Sequence, residues 1–396
     1  VRPLDGTVVL SLEQAVAVPY ATRLLADLGA RVIKVERRGD GDSGGDFARH
    51  YDSTCGTVSS YFAWTNVGKE SITLDLKHPD GASVVARLVE RADVVMCNLS
   101  PDAARRLSLD PDSLRHKRSE LIVAELSAYG EGGPYDGRKA FDALVQSEVG
   151  LVEATGDGDM TARAGISVAD IAAGVQLHAA VLAALLHRER TGEGATLRLS
   201  LMEALAEWMH QPLLYALGTA APPPRHGAHH PTIAPYGPFR CGDGGAVHLA
   251  VQNEQQWRRL CDAVLGLPEL ADDPRFATVP DRVRHREELH AELLRCFEDL
   301  GADELLAKLD AADVPAARTR GVAELVDHPQ LTARSRPVEV PVPGGAVPML
   351  RPPVDADAWS WTAGTVPGLG AHTDVVLGWL GYTTREIDLL RERSVI

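Results

Sequence analysis

The chain has 396 residues, a formal net charge of −15, 45% hydrophobic and 24% charged residues, which fits a globular enzyme of two domains better than one ordinary core. The acidic balance argues against nucleic acid or an anionic membrane surface as partner, yet leaves room for an anionic ligand at a local basic patch. Cys55, Cys97, Cys241, Cys261 and Cys296 are dispersed without a C-x-x-C pair, VRPLDGTVVLSLEQ has no signal-peptide apolar region, and no apolar run is expected to approach membrane-span length, so reduced thiols and a cytoplasmic location are expected.

Thr7–Leu12 (TVVLSL) reads as a short buried strand, Pro19–Leu28 as a helix stopped by Gly29, and Arg31–Glu36 as a second strand. A polar loop follows. Its Gly39–Gly44 run matches G-x-G-x-x-G, but it opens no helix and carries two aspartates that repel a pyrophosphate, so it reads as a solvated loop. Ser71–Leu76, Ala92–Leu99 and Leu121–Leu126 read as strands, with helices at Asp80–Glu90 and Pro111–His116. Strands alternating with helices make βαβ units, hence an α/β, Rossmann-like, doubly wound layer with ligands at the carboxyl ends of its strands.

The stretch Gly165–Leu205 is a long helix, a glycine stop at Gly192, then a strand leading into another helix. Ser167 reads as its N-cap, with Asp170 three residues later as in a capping box. Ala169, Ala172, Ala173 and Gly174 make its first turns thin, so another backbone or a flat ligand can come close. Asp170 is the one carboxylate there, where the helix dipole favours an anion. It fits a plain cap as well as a nucleophile.

Ala220–Pro238, rich in Pro, His and Gly, reads as a linker or lid. Gly242–Val251 reads as a hairpin, and Gln255–Leu265, Val283–Leu300 and Ala302–Ala311 as amphipathic helices of a smaller α+β domain. From Val338 the tail has short strands and ends in a helix, Thr384–Arg393, which could return to the first domain. The expected division is therefore a large domain of 1–220 and 330–396, a linker or active-site loop of 221–234, and a small domain of 235–325. His226, His229 and His230 lack a nearby Cys, Asp or Glu to complete a metal site, and neither G-x-S-x-G nor a P-loop occurs.

Several pieces in order resemble the class III (CaiB/BaiF-type) CoA-transferase family, which also includes α-methylacyl-CoA racemases and carnitine CoA-transferases. They are PLDGTVVLSL, LLADLGARVIKVER, NVGKESITLDLK, SAYGEGGPYDGRKAFDALVQSEVGL, VADIAAG and HRERTGEGATLRLSLMEAL, with Asp273–Phe276, Arg282 and Gly370–Thr373 farther on. The resemblance covers essentially the whole chain. It implies an interlocked homodimer of two-domain subunits, CoA thioesters and small carboxylic acids as partners, and no cofactor beyond CoA. It makes Asp170 the nucleophile and gives Val16, Arg37, Leu74, Lys77, Asn98, Leu99, Arg106 and Lys139 as CoA contacts.

Within the family, SLEQAVAVPYATRLLADLGARVIKVER with RHGAHHPTIAPYGPF looks like the transferases that pass CoA from succinyl-CoA to a C4–C5 dicarboxylate such as itaconate. Arg49, His50, Phe141, Asp142, Arg225, His226, His229 and His230 are the expected substrate residues. Gly227-Ala228-His229-His230-Pro231 stands where oxalate-type members have a run of glycines, a departure from that substrate. A racemase is the alternative, but it needs a His directly before Asp142, where this chain has Phe141. A non-catalytic CoA-binding protein of the same fold is the third reading.

Overall fold

The computed structural model describes residues 1–39 and 44–396. The middle of the expected solvated loop, 40–43, lies outside the described residues.

In chain order the strands are β1 (Val8–Leu12), β2 (Arg31–Arg37), β3 (Glu70–Leu74), β4 (Val94–Cys97), β5 (Ile122–Ser127), β6 (Gly156–Asp157), β7 (Met160–Thr161), β8 (Thr196–Ser200), β9 (Tyr236–Arg240), β10 (Ala246–Ala250), β11 (Ala316–Arg318), β12 (Pro337–Val342) and β13 (Gly345–Leu350). Six of them form one sheet in the order β3-β2-β1-β4-β5-β8, every neighbouring pair parallel. This is the mixed α/β, doubly wound layer expected from the alternation. Period-two side chains explain it: Val9, Val94 and Met96 enter the core on one face, while Leu10, Leu12, Val95 and Cys97 enter the other.

Helices cover both faces. Ala17–Asp27, the central helix Val168–Thr191 and Leu201–Trp208 pack on the first. Pro79–Arg91 and the C-terminal helices Thr373–Trp379 and Thr384–Glu392 pack on the second, through Val376, Leu377, Ile387 and Leu390. The central helix has 24 residues and a mean hydropathy of 1.7 over its best window. By length and composition it could cross a membrane, which corrects the expectation that no apolar run approaches that length. His187, Arg188 and Arg190 crowd its carboxyl end and interrupt the apolar run there.

The chain divides into two compact units. One is Val1–Leu151, Ala164–Gln211 and His328–Ile396; the other is Val152–Arg163 and Pro212–Asp327. The second unit thus takes in the β6–β7 hairpin and all of 221–234, and starts well before the expected 235. It contains the antiparallel sheet β11-β10-β9 and a core around Trp257, Phe239, Phe276 and Phe297. The expected hairpin at Gly242–Val251 is in fact β9 plus β10. Gly237 and Pro238 disguise β9 as linker; Pro238 is tolerated because β9 is an edge strand.

Candidate active site

Asp170 is the third residue of the central helix, whose preceding residue, Ser167, makes no side-chain cap bond. The capping box expected from the sequence is therefore absent. Asp142 does the capping instead, from the start of the helix Asp142–Glu148. Its Oδ1 accepts the Ala169 N–H at 2.8 Å and its Oδ2 accepts Gln146 Nε2 at 2.7 Å. Gln146 Oε1 in turn accepts the Ala164 N–H at 2.9 Å. A carboxylate at the amino end of a helix is favoured by the dipole and satisfies an otherwise orphaned amide.

This arrangement frees Asp170 from a structural task. Among the described residues no hydrogen bond reaches its carboxylate. Burial pushes its pKa up, and the neighbouring Asp142 charge pushes it further, to about 7. The two causes act in one direction because a buried anion beside a like charge is doubly disfavoured. Asp170 is thus a carboxylate held short of its normal solvation in a partly open position, as a nucleophile requires.

The face of the helix that carries Asp170 is fixed by Gly174, one turn on. A Cβ at Gly174 would stand 2.9 Å from the Ala17 carbonyl oxygen and 3.0 Å from Tyr20 Cδ1. The first turn of Ala17–Asp27 therefore lies directly on this face, and only glycine permits the approach. That helix begins at Val16 without a side-chain cap. Tyr51 belongs to the same neighbourhood: partial burial, then the charges of Asp46 and Asp170, push its phenol up to about 12. Nothing in the sequence pattern marked Tyr51 or the capping role of Asp142.

The carboxyl ends of β1 to β4 bring together most of the residues expected to contact CoA. Arg37 and Leu74 end β2 and β3, and Asn98 and Leu99 follow β4. Arg37, Lys77, Arg106 and Lys139 are exposed and available to phosphate. Leu74 is buried in the core, so its side chain packs the sheet, and only its backbone remains for a ligand. Val16 is likewise buried. Asn98 spans the gap between β1 and β4, where strand order reverses and α/β folds open a crevice. Its Oδ1 accepts the Gln14 N–H at 3.0 Å, and its Nδ2 donates to Gln14 O at 2.9 Å.

Arg49 is not a free cation for substrate. Its guanidinium holds Glu36 through two bonds of 2.8 and 2.7 Å, donates to Pro367 O, and lies over the Phe62 ring at 3.7 Å. His50 Nε2 stands 3.5 Å from Gly44 O. Arg49 belongs to a buried set of six charges with Glu13, Lys34, Glu36, Asp46 and Lys69. Lys34 Nζ meets Asp46 at 2.7 Å, and Lys69 Nζ meets Glu13 at 2.7 Å. Burial lowers the Lys69 pKa and Glu13 opposes it. Glu13, Pro19 O and Asn66 Oδ1 surround its Nζ, three acceptors for the three protons of an ammonium.

Phe141 is exposed beside Asp142. Arg225 donates to Gly158 O and Glu153 O, within the second unit, and the His226 backbone pairs with Asp157 in an isolated antiparallel β-bridge. His230 stacks on Tyr236, and His229 packs against His290 and Phe239 with Nδ1 buried. Burial first, then the Arg286 charge, lowers the pKa of all three histidines. Arg225 and His229 are therefore occupied by the packing of their own unit. Their partners lie far off in sequence, so the cluster looked like a free polar loop.

A family profile described as CoA-transferase family III matches residues 4–373. A succinate–glutarate CoA-transferase of Agrobacterium fabrum is 36% identical over 358 residues, covering 89% of this chain and 89% of that protein. An acetyl-CoA:oxalate CoA-transferase of Acetobacter aceti is 35% identical over 350 residues, covering 87% and 88%. The crystal structure of a CaiB/BaiF family protein from Brucella suis superposes with a TM-score of 0.85 at 33% identity, covering 96% of this chain and 99% of that one. With its six-stranded parallel sheet, its partly buried Asp170 and these matches, the chain belongs to CoA-transferase family III and is a class III CoA-transferase.

Proposed function

We propose that this enzyme moves CoA from succinyl-CoA to a small dicarboxylate of C4–C5 size, itaconate or a close analogue, with Asp170 as the covalent nucleophile. The observation that carries the proposal is the Asp170 carboxylate, partly buried, without a hydrogen-bond partner among the described residues, and pushed up to about 7. The relatives named for glutarate and oxalate act on diacids, which supports the acceptor class.

The chemistry follows from a carboxylate in that state. An Asp170 oxygen attacks the succinyl thioester carbon, the C–S bond breaks, and CoA leaves as thiolate. The thiolate attacks the aspartyl carbon of the mixed anhydride, the bond from that carbon to the bridging oxygen breaks, and succinate departs. The acceptor carboxylate attacks the aspartyl-CoA thioester, and the same two steps in reverse give acceptor-CoA and free Asp170. Each intermediate conserves the activated acyl group, so no other energy source is needed. Exposed Arg37, Lys77, Arg106 and Lys139 supply the positive charge for the CoA phosphates that the net charge of −15 lacks.

The proposal includes the interlocked homodimer and a cytoplasmic location. Helix His210–Thr219 buries no residue and exposes Leu213, Leu214 and Leu217, an apolar face that suits a second copy of the chain. The test is to treat the protein with succinyl-CoA and hydroxylamine and map the modified residue by mass spectrometry, alongside a panel of acceptor acids. A hydroxamate at Asp170 is expected. No label there, with transfer persisting in Asp170→Ala, overturns the mechanism; equal use of monoacids and diacids overturns the acceptor.

A further inference from the structure

The turn that enters the Asp170 face is held in a strained shape by a residue no catalytic step uses. Ala15 has φ +65°, in the left-handed region that a non-glycine residue occupies only when its surroundings enforce it. Enforcement comes from two sides. Asn98 binds both main-chain groups of Gln14. Asp46, fully buried, accepts the Ala15 N–H on Oδ1 at 3.0 Å and the Ala48 N–H on the same oxygen at 2.9 Å. Its other oxygen accepts Lys34 Nζ at 2.7 Å, and its own N–H donates to Glu36 Oε2 at 2.9 Å. Asp46 thus has a fixed direction set from the sheet, and it passes that direction to Ala15.

The next residues are Val16 and Ala17, the uncapped start of the helix whose Ala17 carbonyl rests on Gly174. Resting on the reading of Asp170 as nucleophile, we propose that Asp46 is a positioning residue for the transfer step: it locks Ala15 and thereby aligns the amino end of helix Ala17–Asp27 with the Asp170 face of the central helix. A shift of this turn moves main-chain amides relative to the reacting carboxylate while leaving exposed phosphate contacts such as Lys77 and Arg106 in place. It therefore lowers turnover and leaves thioester affinity.

Asp46→Asn keeps the size but offers one acceptor where two are needed, so either Ala15 or Lys34 is left facing an NH2 group. Lys34→Met with Asp46→Ala removes the uncompensated ammonium together with the acceptor of the Ala15 N–H, and serves if the single variant is unstable. In single-turnover reactions with succinyl-CoA, the rate of Asp170 modification is expected to fall about 10- to 100-fold, as for a small misalignment. The KM for succinyl-CoA is expected to stay within about 3-fold, the signature of an interaction that acts on the reacting state. Wild-type modification rates in either folded variant overturn the proposal, as does loss of the folded state in both, which makes Asp46 a stability residue only. If wild-type enzyme itself forms no adduct at Asp170, it is the nucleophile assignment that fails, and the two failures are told apart by that control.

Discussion

Asp142 caps the helix that presents Asp170, taking the Ala169 N–H at 2.8 Å while its charge helps hold the Asp170 carboxyl high. One carboxylate does the helix-end work and the other is left without a hydrogen-bond partner among the described residues. The division makes the pair separable by mutation.

Asp170→Asn is expected to abolish transfer while raising stability at neutral pH. The folded-state pKa is raised above the unfolded value of 3.8 to about 7, so the penalty is absent below about pH 4 and complete above pH 7. Denaturant melts of both proteins should coincide near pH 4 and diverge toward pH 8, with the variant more stable by up to about 4 kcal/mol. A constant gap across pH would contradict the assigned burial.

The acid limb of the acylation rate should report the same group. The nucleophile must be ionised, so the rate of adduct formation rises with pH through about 7. Asp142→Asn removes the second cause of the elevation but not the first, so the limb should move to lower pH without reaching the ordinary carboxylate range. A limb that stays in place assigns it to another group.

Gly174→Ala sets helix propensity against packing. Alanine in a helix interior gains about 1 kcal/mol over glycine. Here the added Cβ meets the Ala17 carbonyl at 2.9 Å, and overpacking costs about 1–3 kcal/mol. The variant should therefore melt lower than wild type and turn over more slowly. A higher melting temperature would mean that the two helices part easily.

Two sets of cations should behave differently. Lys77→Ala and Arg106→Ala should raise the KM for acyl-CoA, in a way that added salt mimics, with little change in melting. Arg49→Ala should instead destabilise by about 3–5 kcal/mol, because it strands Glu36 in the interior. Arg225→Ala should loosen the contact with Gly158 and Glu153 and leave the preference among acceptor acids unaltered. Melting curves and acceptor panels check all four.

Much of the large unit was legible because its strands obey period-two burial on both faces and its helices are apolar, as at Leu10–Leu12 and Val94–Cys97. The position of Asp170 in a thin helix start was legible too. What could not be read were relations between distant residues. Ser167 has the right type for a cap, but Asp142 reaches that helix end first. Arg49 and Arg225 look like free cations until Glu36 and the carbonyls of 153 and 158 are seen beside them. Strand β9 was hidden because Gly237 and Pro238 carry loop chemistry inside an edge strand.

The six buried charges under the β1 turn have a consequence for how the sequence can change. Glu13, Lys34, Glu36, Asp46, Arg49 and Lys69 balance as three of each sign with almost no solvent. Any one replaced alone leaves a stranded partner, so neutral drift at these positions is blocked unless changes arrive together. A library that randomises them singly should return almost only wild type. One that changes partners together, such as Glu13 with Lys69, should return viable alternatives, and recombining segments from relatives should succeed only when 13–69 is kept as one block.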